Sequence, residues 1–254
     1  MSTPNVPLID LQEASKDKDQ LRLLDSACRD HGFFLLKNHG MQNEINNMWS
    51  MSEWFFAQQR EDKLKLLRSE EIPLGFYDRE LTKQKRDLKE VFDFMETRSE
   101  KDINQWPDEP LFRETMESFF KKSSEVAKET LDLILLCLGI SKNDLIFGDS
   151  KTSNARLNFY PVDDPLSLLE KNEVNGLGDM ALHHHTDPGI LTLLLQDMTG
   201  GLQAKSKEFG WIDITPEKDS IVVNLGDAMQ VWTNDNYVAA IHRVSKRTSE
   251  PRYS

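Results

Sequence analysis

Cysteine is scarce in this sequence, which excludes two kinds of architecture. Only Cys28 and Cys137 occur, and they give neither a disulfide framework nor a paired-cysteine zinc motif. Long apolar runs are missing too, because the longest, Leu133 to Leu138, is far too short to span a bilayer. Met1 to Leu11 carries no basic and apolar signal segment. We therefore expect a cytoplasmic protein that does not enter a membrane.

An excess of basic charge is also absent. The sequence has 31 Lys and Arg residues and 43 Asp and Glu residues, so the formal net charge is −12. Nucleic acid and anionic membrane surfaces both favour a basic partner, so we expect neither, and a small-molecule substrate fits better. A chain of 254 residues with 38% hydrophobic content can bury one good core. We expect a monomer built from one domain or a closely fused pair.

Half of the six histidines lie in one short stretch, Ala181 to Gly189. If this stretch is a strand, successive side chains alternate between faces, so His185 and Asp187 point the same way. A third ligand must come from elsewhere, and His242, which follows another apolar run, is the candidate. Two histidines and a carboxylate, with coordination positions left open, suit a non-haem Fe(II) centre that activates oxygen.

His183 lies on the same predicted face and gives a second possibility. Four residues of strand span about 13 Å, so His183 and Asp187 can hardly share one ion. His183 with His185 and His242 would form a three-histidine zinc site of a hydrolase. A polar, histidine-rich turn that binds nothing is a further interpretation, because short motifs often occur by chance. The residues alone leave these alternatives open.

The distribution of helix and strand signals changes near residue 149. An edge strand at Val6 to Leu11 and a mixed-charge run from Lys83 to Glu90, interpreted as a solvated face, precede a long helix from Phe112 to Leu138. Gly139 supplies the stop of that helix. Short apolar segments separated by turn residues then predict an antiparallel sandwich or barrel. The predicted segments are 155–160, 190–195, 202–204, 211–214, 221–225, 230–233 and 237–244.

Several motifs together resemble the 2-oxoglutarate and Fe(II)-dependent oxygenases of the isopenicillin N synthase-like family. In the first half these are Val6 to Leu11, His31-Gly32-Phe33-Phe34 with Asn38-His39-Gly40, Asp87-Leu88-Lys89-Glu90, and Asn104-Gln105-Trp106-Pro107. In the second half, the family's His-x-Asp and distant His pattern falls on His185, Asp187 and His242. The resemblance therefore implies that these three residues, rather than His183, bind the metal and are catalytic.

The resemblance also implies a cosubstrate site. The family's Arg-x-Ser pattern falls on Arg252 and Ser254, and its Asn-x-Tyr-Pro segment falls on Asn158 and Tyr160. The arginine fork matches a carboxylate, and a serine hydroxyl adds a further hydrogen bond. These residues would hold 2-oxoglutarate, which is decarboxylated to succinate while Fe(II) and O2 oxidise a small organic molecule by hydroxylation or desaturation. Some relatives instead use this pair for a substrate carboxylate and need no 2-oxoglutarate.

The implied fold is mixed α/β with a mainly β core, a distorted jelly-roll (double-stranded β-helix) flanked by N-terminal helices. We predict an N-terminal helical and strand region at 1–148 and the Fe(II)/2-oxoglutarate jelly-roll core at 149–254. Family members continue beyond Arg-x-Ser, so we expect that the last strand and the C-terminal helices are missing and the core is truncated at its C-terminus. An inactive, truncated binding protein is therefore an alternative to the enzyme.

Overall fold

The computed structural model describes residues 6–97, 103–141, 152–206, 209–247 and 249–254. These residues form two compact units. The first takes its described residues from 1–40, 125–146 and 182–246, and the second from 41–124, 147–181 and 247–254. Each unit draws on both predicted regions, 1–148 and 149–254, so the boundary between those regions stays a prediction.

The helices and strands are named in chain order. The helices are α1 (Lys18–Asp30), α2 (Gln42–Phe56), α3 (Arg60–Leu64), α4 (Pro110–Cys137), α5 (Leu168–Lys171) and α6 (Asp227–Trp232). The strands are β1 (Leu8–Asp10), β2 (Phe33–Lys37), β3 (Gly75–Tyr77), β4 (Leu81–Thr82), β5 (Lys85–Arg86), β6 (Glu90–Met95), β7 (Asn154–Tyr160), β8 (Leu182–His185), β9 (Leu191–Leu194), β10 (Leu202–Ser206), β11 (Gly210–Asp213), β12 (Ile221–Leu225), β13 (His242–Val244) and β14 (Arg252–Tyr253). No helix in these described stretches is both long and apolar enough to cross a membrane.

The first unit contains two four-stranded sheets, with orders β1-β2-β12-β9 and β11-β10-β13-β8. Strand β1 lies at a sheet edge, parallel to β2, as its proline-bearing sequence predicts. Strand β12 pairs antiparallel with both β2 and β9, and all five of its residues are buried. Its apolar side chains form the centre of the first sheet, and its single polar residue, Asn224, is buried among them.

The second unit is built around a third sheet, of order β14-β7-β6-β3. Phenylalanines cover one face of it, because residues two apart along a strand share a face. The Phe92 ring lies 4.7 Å from that of Phe55 and 5.3 Å from that of Phe112, measured between centroids. Helices α2 and α4 therefore pack their aromatic side chains on β6, and Phe76, Phe92 and Phe112 are fully buried.

The mixed-charge run from Lys83 to Glu90 is a solvated face only from Lys83 to Lys85, so that prediction was wrong for the residues from Arg86 onward. Arg86, Asp87, Lys89 and Glu90 are all buried. Their charges are paired inside the unit: the Lys63 ammonium lies 2.5 Å from the Glu90 carboxylate, and Arg86 pairs with Asp164. A run with both signs can be buried when each charge meets an opposite one, and these partners are distant in sequence.

Glu80 is the centre of this ion-pair network. Its carboxylate lies 2.8 Å from the Lys89 ammonium and 2.9 Å from the guanidinium groups of Arg68 and Arg156. Arg156 also donates two parallel hydrogen bonds, of 2.6 and 2.8 Å, to the Asp93 carboxylate. Burial works to raise the pKa of Glu80, but the charges of Lys89 and Arg156 outweigh it and hold this pKa at about 2.

Two of the predicted strand segments have a different structure. Residues 230–233 were predicted as strand but lie at the end of α6 and just beyond it; the short helix starts after Gly226 with Asp227 in its first turn. Of the segment 237–244, only β13 is a strand. The preceding residues bond elsewhere: the Val238 amide donates to the Cys28 carbonyl and the Ala240 amide to the Leu225 carbonyl. These bonds replace a regular β ladder.

Candidate active site

The three predicted metal ligands converge in the first unit. One potential ligand atom from each of His185, Asp187 and His242 lies within 4.8 Å of the other two. The Asp187 Oδ1 atom is 3.6 Å from His185 Nε2 and 3.8 Å from His242 Nε2. His185 ends β8 and His242 starts β13, and the two histidines are direct cross-strand partners in this antiparallel pair. Their ring centroids are 4.3 Å apart.

Both histidine rings are oriented by backbone carbonyls two residues earlier. His185 Nδ1 lies 2.9 Å from the His183 carbonyl oxygen, and His242 Nδ1 lies 3.0 Å from the Ala240 carbonyl oxygen. A carbonyl can only accept, so each Nδ1 carries a proton, and Nε2 is the ring nitrogen that faces Asp187. Neutral imidazoles with Nε2 free and Nδ1–H held by a second group are the usual state of metal-binding histidines.

Asp187 reaches the histidines by a route that differs from the predicted strand alternation. Strand β8 ends at His185, and Asp187 lies in the loop that follows. The backbone of α6 holds this loop: the Asp227 amide donates to the Asp187 carbonyl at 2.7 Å, and the Ala228 amide to the Gly189 carbonyl at 3.1 Å. This close approach of α6 to the loop requires glycine at 226, because an added Cβ would lie 2.3 Å from the backbone carbonyl oxygen of Gly189 and 2.6 Å from that of Asp187.

The outer oxygen of Asp187 is fixed by two polar residues of the first sheet. Asp187 Oδ2 accepts from Thr192 Oγ1 at 2.5 Å and from Asn224 Nδ2 at 2.9 Å. Thr192 on β9 and Asn224 on β12 are direct cross-strand partners. Burial works to raise the pKa of Asp187, but the nearby His242 and these two hydrogen bonds outweigh it, so the pKa is lowered and the carboxylate stays ionised.

Sequence reasoning missed Thr192 and Asn224, although a signal was present. Each is the one polar residue in an otherwise apolar strand, in Leu191–Leu194 and in Ile221–Leu225. Buried polar side chains are nearly always hydrogen-bonded, so a lone Thr or Asn in such a strand predicts a polar partner inside the core. The sequence does not say which partner.

The donor set fits Fe(II). Two imidazole Nε2 atoms and one carboxylate oxygen on a single side leave coordination positions for other ligands, as in the facial triads of non-haem iron oxygenases. The three-histidine zinc alternative needs His183 in place of Asp187. Among the residues that the structure describes, His183 joins no such converging group. His184, also in β8, lies against Trp211, with ring centroids 6.2 Å apart.

The four predicted cosubstrate residues lie together in the second unit. Arg252 pairs directly with Tyr160 in the β14–β7 ladder, and Ser254 and Asn158 exchange backbone hydrogen bonds of 2.7 and 3.0 Å. Directly opposed residues share a face, and residues two apart on one strand do so too, so all four side chains lie on one side of this pair. The Arg252 guanidinium carbon lies 4.9 Å from the centre of the Tyr160 ring.

Burial makes this group suited to a carboxylate ligand. Arg252 is fully buried and Tyr160 is 3% exposed. The Ser254 hydroxyl is buried and makes no hydrogen bond to another residue that the structure describes. On the opposite face of the pair, Phe159 lies 4.9 Å from Tyr253 and 5.4 Å from Phe56, measured between ring centroids, so aromatic packing fixes the two strands.

Comparisons with known proteins match most of the chain. Residues 6–109 match the family model described as non-haem dioxygenase in morphine synthesis N-terminal, and residues 152–254 match the 2OG-Fe(II) oxygenase superfamily. The chain is 32% identical to 1-aminocyclopropane-1-carboxylate oxidase 4 of Solanum lycopersicum, over 98% of this chain and 77% of that protein. It is 30% identical to the 2-oxoglutarate-Fe(II) type oxidoreductase ppzD of Metarhizium majus, over 91% of this chain and 74% of that protein.

Solved structures give the same result. The crystal structure of a full-length Neurospora crassa protein in complex with alpha-KG matches with a TM-score of 0.81 and 28% identity, over 98% of this chain and 82% of that one. The complex of the same Neurospora protein with alpha-KG and thymine matches with a TM-score of 0.80 and 28% identity, over 98% and 83%. The predicted jelly-roll fold class, the enzyme class and the use of Fe(II), 2-oxoglutarate and O2 are confirmed at the level of the family. The ligand geometry, the relatives and the fold agree, and the chain belongs to the 2OG-Fe(II) oxygenase superfamily.

Proposed function

We propose that His185, Asp187 and His242 bind the catalytic Fe(II) of this oxygenase. The observation that carries the proposal is the convergence of the two Nε2 atoms on Asp187 Oδ1. Once bound, the iron supplies the redox chemistry that activates O2 with 2-oxoglutarate as the electron donor. The chain itself orients the two imidazole rings through two backbone carbonyls and keeps the carboxylate ionised and oriented through Thr192 and Asn224.

We further propose that Arg252, Ser254 and Tyr160 bind the distal carboxylate of 2-oxoglutarate, with Asn158 supporting the same group. Their side chains share one face of the β14–β7 pair, and Arg252 is fully buried. The planar fork of a guanidinium can bond both oxygens of a carboxylate. The Ser254 hydroxyl can donate one more hydrogen bond to that carboxylate.

The primary substrate in this proposal is a small organic molecule, which is hydroxylated or desaturated while 2-oxoglutarate is decarboxylated to succinate. Related structures contain thymine or 5-formyluracil, which supports a small substrate. The acidic chain, with a net charge of −12, argues against nucleic acid and anionic membranes as partners. From the same composition we also propose that the protein is cytoplasmic and monomeric.

An anaerobic titration with Fe(II) and then 2-oxoglutarate tests the proposal. The wild type should develop the visible charge-transfer absorption of an iron-bound 2-oxo acid, and admission of O2 should then yield succinate. Oxidation of substrate without any need for 2-oxoglutarate would instead support an oxidase that uses the Arg252 pair for its own substrate. A folded, iron-loaded protein with no absorption band would refute the cosubstrate assignment.

Two variants separate the ligand sets. Asp187→Ala should abolish iron binding and succinate formation, whereas His183→Ala should leave most of both, because Asp187 converges with the two histidines and His183 is not part of that group. The reverse outcome would refute the proposed triad and support a three-histidine site.

A further inference from the structure

The backbone segment that precedes β13 carries an acceptor for the iron site. This segment, Tyr237–Ala240, provides the Ala240 carbonyl oxygen that lies 3.0 Å from His242 Nδ1. The position of that oxygen sets both the tautomer and the orientation of the His242 ring. Whatever fixes the segment therefore fixes the direction in which His242 Nε2 points.

Every backbone amide of the segment has a separate anchor outside a β ladder. The Tyr237 amide donates to Thr233 Oγ1 at 3.1 Å and the Val238 amide to the Cys28 carbonyl at 3.1 Å. The Ala239 amide donates to Gln230 Oε1 at 2.7 Å and the Ala240 amide to the Leu225 carbonyl at 3.1 Å. Helix α1, strand β12 and helix α6 with the residue after it thus hold four consecutive residues.

Side chains also connect this segment to α1. Tyr237 is fully buried, and its hydroxyl donates to Asp25 Oδ1 at 2.7 Å across 212 positions of sequence. Arg29 holds the other oxygen of Asp25 at 2.9 Å, and its guanidinium carbon lies 5.3 Å from the Tyr237 ring centre. Burial raises the pKa of Tyr237, and the bond to Asp25 raises it further, so the phenol remains a donor.

Gly32 shows how closely α1 and the segment approach. Its φ is +64°, and an added Cβ would lie 2.0 Å from the Val238 carbonyl oxygen. The α1–β2 turn and the segment are thus in direct backbone contact. Because no gap separates them here, a shift of Tyr237 should move the segment with it.

We infer that Tyr237 and Asp25 are positioning residues for the iron ligand His242, acting through the segment Tyr237–Ala240 and the Ala240 carbonyl. This inference rests on the proposed role of His242 as an iron ligand. Neither residue touches the metal site. Their bond holds the Ala240 oxygen where it accepts from Nδ1 and so keeps Nε2 directed at the site.

Metal affinity tests the inference. Tyr237→Phe removes only the hydroxyl, and it should raise the dissociation constant for Co(II), used as the probe, by about 3–10-fold. That is below the 10–100-fold typical for a partner that contacts the ligand directly. The Co(II) absorption spectrum should change, and amide hydrogen exchange at Val238 and Ala240 should quicken in the metal-free protein. Asp25→Asn keeps an acceptor for the hydroxyl and should retain the affinity, whereas Asp25→Leu should behave as Tyr237→Phe.

Thr130→Val is the matched control. Thr130 is fully buried in the same unit, and its hydroxyl donates to the Val126 carbonyl at 2.7 Å within α4. It should lose similar stability without a change in Co(II) affinity. Equal affinities of Tyr237→Phe and the wild type, or equal losses in Tyr237→Phe and Thr130→Val, would overturn the inference. If Asp187→Ala also binds Co(II) as the wild type does, the proposed triad itself is wrong, which separates the two failures.

Discussion

Removing the Thr192 hydroxyl should weaken iron binding without unfolding the protein. Thr192→Val keeps the shape of the side chain and deletes the 2.5 Å hydrogen bond to Asp187 Oδ2. A hydrogen bond to a charged group contributes roughly 1.5–3 kcal/mol, and loss of a ligand's outer partner typically costs 10–100-fold in metal affinity, or about 1.4–2.7 kcal/mol. The two ranges agree, so we expect a rise of 10–100-fold in the Fe(II) dissociation constant.

Asn224 provides a second test of the same support, because it donates to the same Asp187 oxygen at 2.9 Å. Asn224→Leu should give a loss of similar size. The double variant should lose more than the sum of the two by about 0.5 kcal/mol or more, since the carboxylate can rotate freely only when both donors are gone.

Anaerobic calorimetric titration with Fe(II) at pH 7 measures all three losses. Thr199→Val is the control, because its hydroxyl bonds the Asp197 carboxylate at 2.5 Å in the same unit but outside the converging ligand group. A dissociation constant for Thr192→Val within about threefold of the Thr199→Val value would refute the assignment of Thr192 to the ligand's outer support.

Three further predictions concern stability and the cosubstrate. The pKa of Glu80 is held at about 2, below its ordinary 4.5. The stability that its ionised form contributes is therefore fully present above about pH 4.5 and is lost as the pH falls through 2. Glu80→Gln should lower the free energy of unfolding by on the order of 3 kcal/mol at pH 7 and by much less at pH 2. Gly226→Ala should cost about 1–3 kcal/mol in chemical denaturation and weaken Fe(II) binding, because its Cβ would lie 2.3 Å from the Gly189 oxygen. Arg252→Lys should raise the half-saturating 2-oxoglutarate concentration about tenfold in a succinate assay, since lysine cannot form the two-pronged carboxylate bond.

Each of these has a matched control. Glu13→Gln removes the same charge from a side chain that is 63% exposed and should be nearly neutral at both pH values. Gly176→Ala adds a Cβ with nothing within 4 Å of it. Arg22→Lys changes a surface arginine that pairs with Asp19. Any control that reproduced the effect of its partner variant would remove the physical reason given for that variant.

The sequence predicted most of the strand-forming segments of its second half, but not 230–233 or most of 237–244, and it predicted burial less well. Strands β7, β9 and β12 fall within two residues of the predicted segments, because apolar runs bounded by turn residues report local backbone preference directly. The run from Lys83 to Glu90 was placed in solvent, although Lys89 and Glu90 are buried. Periodicity describes one strand at a time, so it cannot show that a distant Lys63 or Glu80 neutralises these charges.

The candidate site shows the same division between local and distant information. The His-x-Asp spacing identified His185 and Asp187, yet the reason offered for it, alternation along one strand, was wrong because the strand ends at His185. The convergence is produced instead by Gly226, which lets the α6 backbone approach the Asp187 loop. The sequence could supply the identity of the ligands by resemblance, but the approach of two backbones depends on tertiary packing.

The orientation of the three proposed ligands depends on groups from four separate elements. Carbonyls of the backbone before β13 and within β8 direct the two imidazoles, while side chains of β9 and β12 direct the carboxylate. Because these supports lie in both sheets of the first unit, metal binding should depend on packing between those sheets. A core substitution such as Phe33→Ala, which removes a ring 6.4 Å from the His242 ring centre, should therefore weaken Fe(II) binding as well as stability.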